Sequence, residues 1–289
     1  SSDETRDRRA GRSIKEIKQE AGKRVPVSKE IPDMMQQVED LLEEGAELKK
    51  LLDSLAPEDW QRHTPFKNWT INNVIQHLHG TDKAAMMSLT DRDSYLIVKY
   101  NINVQRRILN PGIEGEELLD GWWTYFKDMC RHLGDLDPKR RLTWFGPDMG
   151  AMMFSTARQM ETWAHGQDIY DLLKQTRVNT DRMKNIAVIG VRTYGWTFVN
   201  RGLEPPAPAP YVKLDAPSGD VWEFGEPQKR NYISGSAIEF CHVVTQGRNI
   251  NDKDIHLDVV GEPATQWMEI AQCFAGKPET PPAPGIRTG

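Results

Sequence analysis

Glu161 and His165 are the residues whose types and spacing most directly suggest chemistry. Four positions apart on a helix, they project from one face, one turn above the other. A carboxylate and an imidazole so placed can grip one metal ion, as two histidines do on the zincin helix. The spacing alone also occurs on solvated helices, so the setting matters. Met153, Met160 and Trp163 mark this helix as largely buried, and an ionised Glu is rarely buried without a partner. Arg158, three residues before Glu161, can orient that carboxylate, bind an acidic substrate, or form a plain salt bridge. Asp168, three residues after His165, can support the imidazole, serve as a general base, or be a surface acid near a helix end.

A further ligand has to come from another element. His77, His79 and Asp82 lie close together in TINNVIQHLHGTDKAAMMSL. On a helix His77 and His79 point about 200° apart, so at most one of them can share a metal with the Glu161 helix. Two imidazoles and one carboxylate leave coordination positions open, the arrangement of a catalytic rather than a structural zinc. Iron and nickel accept the same donors, so ligand type alone does not name the metal.

The elements that must position these residues follow from apolar periodicity. Residues 1–30 carry charges of both signs with little apolar content, which predicts a disordered or peripheral extension. A first helix begins near Pro32 and Asp33 with a stripe of Val38, Leu41, Leu42, Leu48, Leu51, Leu52 and Leu55, and Pro57 ends it. EDWQRHTPFKNW reads as a loop with aromatic anchors, and Thr70 as the N-cap of the His77 helix. A third helix spans roughly Glu116 to Leu136, burying Leu119, Trp122, Phe126 and Met129. The fourth follows the WFGP turn, runs from Met149 to about Lys174, and carries Glu161 and His165. A fifth is expected from Asp181 to Asn200.

EPPAPAP then marks a boundary. Beyond it YVKLDAP and DVWEFGEP alternate as strands around Ser218-Gly219, SGSAIEFCHVVTQ reads as a short helix, HLDVVGE as a strand, and ATQWMEIAQCFAG as a closing helix. The expected fold is therefore mainly α with a smaller α+β domain: an extension at 1–30, a helical bundle at 31–203, and a small α+β domain at 204–289. Bundle cores are a common place for metal sites built from facing helices.

Composition narrows the function classes. A net charge of −5, from 37 basic and 42 acidic residues, argues against a general nucleic-acid binder. No apolar run approaches the ~20 residues of a membrane span. Three cysteines without CxxC spacing point to a reduced, cytoplasmic protein.

The phrases NWTINNVIQHL, WFGPDM, TARQMETWAHGQD, SGSAIEFCHVV and WMEIAQCFAG, in that order and spacing, resemble one family. It is a mainly actinobacterial branch of the DinB-like metal-binding superfamily, close to the mycothiol-dependent maleylpyruvate isomerases. The resemblance implies a four-helix bundle with a divalent metal at its open end and a small sterol-carrier-like C-terminal domain. It places His77 at the ligand histidine of the W-T-x6-HL phrase and Glu161 and His165 at the E-x3-H pair, and gives His79 no ligand role. It also brings in Arg248, because an arginine near the end of this C-terminal helix contributes to the site in some isomerase relatives. The alternative for Arg248 is an exposed charge closing a helix.

These readings together lead to a divalent-metal-dependent, non-redox enzyme for a small organic molecule, an isomerase or a thiol-linked transferase using a low-molecular-weight thiol. The alternatives are a metal-containing protein that carries an apolar ligand, and a non-haem iron oxygenase.

Overall fold

The computed structural model describes residues 33–110 and 112–288, so the extension expected at 1–30 lies outside the described residues. Four helices build the first layer: α1 (Asp33–Asp53), α2 (Ile71–Thr90), α5 (Gly115–Gly134) and α6 (Ala151–Leu173). α1 and α2 each pack against both α5 and α6, which closes a four-helix bundle. α2 starts as its sequence predicts. Thr70 Oγ1 accepts the Asn73 N–H at 3.1 Å and Asn73 Oδ1 accepts the Thr70 N–H at 3.0 Å, so two otherwise orphaned donors are satisfied reciprocally. Gly45 lets α1 approach α5 closely, since a Cβ there would stand 2.1 Å from the Phe126 ring.

Two further helices, α3 (Arg92–Tyr100) and α4 (Ile102–Leu109), fill the α2–α5 connection where periodicity predicts none. They are short, with Asp91 and Asn101 as side-chain N-caps, and their apolar side chains, Tyr95, Val98, Val104 and Ile108 among them, pack on the bundle core over only a few turns. The expected start of the fourth helix is corrected. Met149–Gly150 forms a short strand, β2, antiparallel to β1 (Arg141–Leu142), and α6 begins at Ala151. The expected fifth helix is interrupted at Thr193, giving α7 (Lys184–Arg192) and α8 (Tyr194–Val199) after a short 3-10 turn. Leu42, expected on the apolar stripe of α1, is 39% exposed.

After the Pro-rich segment comes a four-stranded sheet in the order β4-β3-β5-β6. Its strands are β3 (Tyr211–Asp215), β4 (Val221–Phe224), β5 (Tyr232–Ser236) and β6 (Asp258–Val260). β3 pairs antiparallel with β4 and parallel with β5, and β5 pairs antiparallel with β6. β5 takes the SGS residues that the sequence assigns to a helix, and α9 starts only at Ala237, capped by Ser236. The closing helix, α10 (Glu262–Ile270), stops before the QCFAG segment.

Two apolar cores result, and α6 belongs to both. Phe154 and Ile169 join the bundle core, whereas Ala157, Met160 and Trp163 join a core shared with α7, α8 and the sheet. A helix buried on nearly every side shows little amphipathic contrast. Polar groups on such a helix need partners, and how they find them defines the site.

Candidate metal centre

His77 leaves α2 and Glu161 and His165 leave α6 so that one ligating atom from each lies within 4.8 Å of the others. Glu161 Oε2 stands 3.4 Å from His165 Nε2 and 3.8 Å from His77 Nε2. Donors held by one tetrahedral ion at ~2.1 Å are about 3.4 Å apart, a spacing that the Glu161–His165 pair already has, with the His77 donor somewhat further out. Aromatic rings hold the imidazoles in place. Trp69 is stacked on His165 at 6.1 Å and tilted against His77 at 5.3 Å, and Phe66 meets His165 edge-on at 5.2 Å. Both rings come from the loop before α2.

Asp168 fixes the orientation of His165. His165 Nδ1 donates to Asp168 Oδ2 at 3.1 Å, which leaves Nε2 facing Glu161 and His77. The other Asp168 oxygen accepts from the Arg287 guanidinium. Arg287 also lies 3.7 Å from Asp171, which accepts two hydrogen bonds from Arg248 at 2.7 and 2.8 Å. Arg248 is thus buried rather than an exposed charge closing a helix, and its guanidinium is committed to Asp171. Arg158 does not reach Glu161: it donates to Asp82 at 2.9 and 3.1 Å and to Thr81 at 2.8 Å, tying α6 to α2. His79 faces Tyr125 at 5.7 Å, on the side of α2 away from the cluster.

Burial acts to raise the Glu161 carboxyl, but the His165 and His77 imidazoles hold it well below the usual carboxylate range. Burial pushes His77 below its ordinary value, which keeps its lone pair free. Burial acts the same way on His165, yet Asp168 and Glu161 outweigh it and raise that imidazole to about 9.

The cluster opens into a cavity of about 480 Å3. Phe66 and Trp69 form one side, and the C-terminal segment supplies Phe274, Lys277, Ile286 and Arg287. Arg287 is the functional candidate that sequence reasoning misses. It lies in a Pro-rich tail without periodicity, 119 residues from its partner Asp168, and no local pattern marks it.

The family model described as the mycothiol maleylpyruvate isomerase N-terminal domain matches residues 41–170. Two uncharacterised proteins, from two strains of Mycobacterium tuberculosis, are each 38% identical over 248 residues, 83% of this chain and 96% of theirs. The chain belongs to this DinB-like, maleylpyruvate isomerase-related family. Its fold also matches the crystal structure of the mycothiol-dependent maleylpyruvate isomerase, with a TM-score of 0.51 at 13% identity, covering 73% of this chain and 88% of that one. A histidine-to-alanine mutant of that isomerase matches with a TM-score of 0.50 at 12% identity. Among the described residues, no helix is long and apolar enough to cross a membrane.

Proposed function

We propose that this family member is a divalent-metal-dependent, non-redox enzyme acting on a small organic molecule, an isomerase or a thiol-linked transferase. The observation that carries the reading is the convergence of His77, Glu161 and His165 at the wall of a cavity large enough for a cofactor-sized ligand. Zinc is the leading metal, with iron and nickel as ions the same donors accept. When bound, such an ion polarises a carbonyl or acidifies a coordinated thiol or water. Glu161 supplies the negative charge, Asp168 holds His165 in its ligating tautomer, and Arg287 holds Asp168. The aromatic wall of Phe66 and Trp69 excludes water from one side of the cluster. Arg248 acts through Asp171, and Arg158 braces α2 against α6. The low-molecular-weight thiol is supported by family membership and by the size of the cavity. Three free, buried cysteines accord with a cytoplasmic site of action.

The test is turnover of a panel of small unsaturated carbonyl compounds, with and without added thiol. Zinc-loaded wild-type protein is compared with Glu161→Gln and His79→Ala. Thiol-dependent conversion by the wild type and by His79→Ala, but not by Glu161→Gln, is expected. Full turnover by a metal-free Glu161→Gln protein would remove the metal from the mechanism.

A further inference from the structure

Glu161 also borders a second, smaller cavity of about 190 Å3. Met160, Glu161, Phe274 and Ala275 line both chambers, so the two share a wall at the residue that supplies the cluster's carboxylate. Ala157 and Met153, one and two turns before Glu161 on α6, line the small chamber.

Trp144, Met149, Met153, Ile189, Trp196 and Phe274 give that chamber an apolar wall. Met149, Met153 and Phe274 pack against the second core and yet keep part of their surface free. Polar groups on the wall are answered from within the protein. Trp196 Nε1 donates to the Phe274 carbonyl at 3.2 Å, and Thr193 Oγ1 donates to the Ile189 carbonyl at 2.7 Å. Arg158 is committed to Asp82 and Thr81 and lies over the Trp144 ring, and Glu161 is engaged by His77 and His165. Asp148 and Arg192 are of opposite sign and exposed, so water answers their charges. Burial holds the Cys273 thiol protonated, and a neutral thiol packs as a small apolar group.

A charged ligand would give up its hydration there for no free partner, whereas an apolar one gains by leaving water. An apolar cavity of roughly 150 Å3 stays dry and binds a benzene-sized molecule. The rings of Trp144, Trp196 and Phe274 suit a flat occupant, and the unbranched methionines adjust around it. We propose that the small chamber binds an uncharged, flat apolar group of about benzene size, the non-reacting end of a substrate whose reacting end lies at Glu161. Remote contacts of this kind position a reacting group. That the occupant is part of the substrate rests on the metal-enzyme reading. The binding itself does not.

The experiment is calorimetric titration of the full chain with anisole, and with benzoate as a charged analogue of similar size, alongside measurement of bound metal in the same samples. Methyl-labelled methionines locate the ligand by NMR. Met153→Trp and, independently, Ala157→Leu fill the chamber from α6, and if one of them fails to fold the other still decides. The expected result is anisole binding with a Kd below about 1 mM, at least about tenfold tighter than benzoate, and weakened at least about tenfold in the folded filled variants. Ring-current shifts should appear at Met149 and Met153 and not at Met129 or Met268, which are buried in the two cores. No anisole binding, benzoate bound as tightly, shifts that spare Met149 and Met153, or unchanged binding in a folded filled variant would each overturn the proposal. A chain that retains no zinc yet binds anisole in this way would keep the site and discard the metal-enzyme reading.

Discussion

Glu44 and Glu47 on α1 meet Arg177 and Arg182 from the segment after α6, whereas Glu161 on α6 meets, among the described residues, the imidazoles of His77 and His165. In the first cluster two cations face two carboxylates. Glu44 accepts from Arg177 at 2.9 Å, Arg182 at 3.1 Å and Gln159 at 3.3 Å, and Glu47 accepts from both arginines and from Tyr170. Arg177 lies over the rings of Trp163 and Tyr170 and also donates to the Trp163 carbonyl. That cluster is closed, and it ties α1 to the chain after α6. In the second cluster the nitrogen–oxygen separations of 3.4 and 3.8 Å are longer than close hydrogen bonds, and the lone pairs converge on a cavity. Buried charge matched at hydrogen-bond distance is structural, while donors converging at ion-coordination distance form a site.

The largest effect should come from opening the closed cluster. Arg177→Met leaves Glu44 buried with half its charge partners gone, and should cost about 3–5 kcal/mol in urea unfolding. Metal content per folded chain should stay at the wild-type level. Metal loss at unchanged stability would reverse the roles assigned to the two clusters.

Asp168→Asn strikes the support of the open cluster instead. Metal affinity, read by competition with a chromogenic chelator, should fall by about 10–100-fold, and Arg287→Met should weaken it in the same direction. Unchanged affinity in both variants would show that His165 needs no outside orientation.

What the sequence made legible divides along the same line. Glu161 and His165 were readable because helical periodicity fixes their relative direction, and His77 because its phrase resembles a ligand motif. Arg287 was not, because its link to Asp168 is made only when the tail returns across α6. The bundle and the β3–β4 hairpin follow from period-3.6 and period-2 patterns. α3 and α4 escaped because each gives too few turns for its apolar stripe to stand out as a period, and β5 because the SGS residues that end it carry no apolar side chain. The several roles open to Arg158 could be settled only by seeing Asp82 on the facing helix.

A smaller, pH-dependent effect belongs to a buried group outside both clusters. His242 lies tilted against Trp163, and burial, helped by Arg248, Arg177 and Arg287, pushes its pKa well below 6.5. It is neutral when folded and gains a proton on unfolding at low pH, so its contribution is fully present above pH 6.5 and is lost as pH falls towards the folded pKa. Stability should drop by up to about 1.4 kcal/mol per pH unit below that point, and His242→Phe should flatten the slope. An equal slope in the variant would place the acid sensitivity elsewhere.

The smallest effect on the site is expected from His79→Ala. That side chain is buried beside Tyr125, away from the cluster, so its loss should disturb α2–α5 packing yet change metal affinity by less than about twofold. A larger change would mean that α2 presents both histidines to the ion.

The central claim is that α2 and α6 together hold a divalent ion through His77, Glu161 and His165. Its most direct measurement is elemental analysis of protein purified without added metal, repeated after zinc loading and dialysis, for the wild type and for Glu161→Gln. About one ion per wild-type chain is expected after loading, and little or none in the folded variant. A wild-type chain that retains no ion after loading, or a variant that retains as much as the wild type, would contradict it.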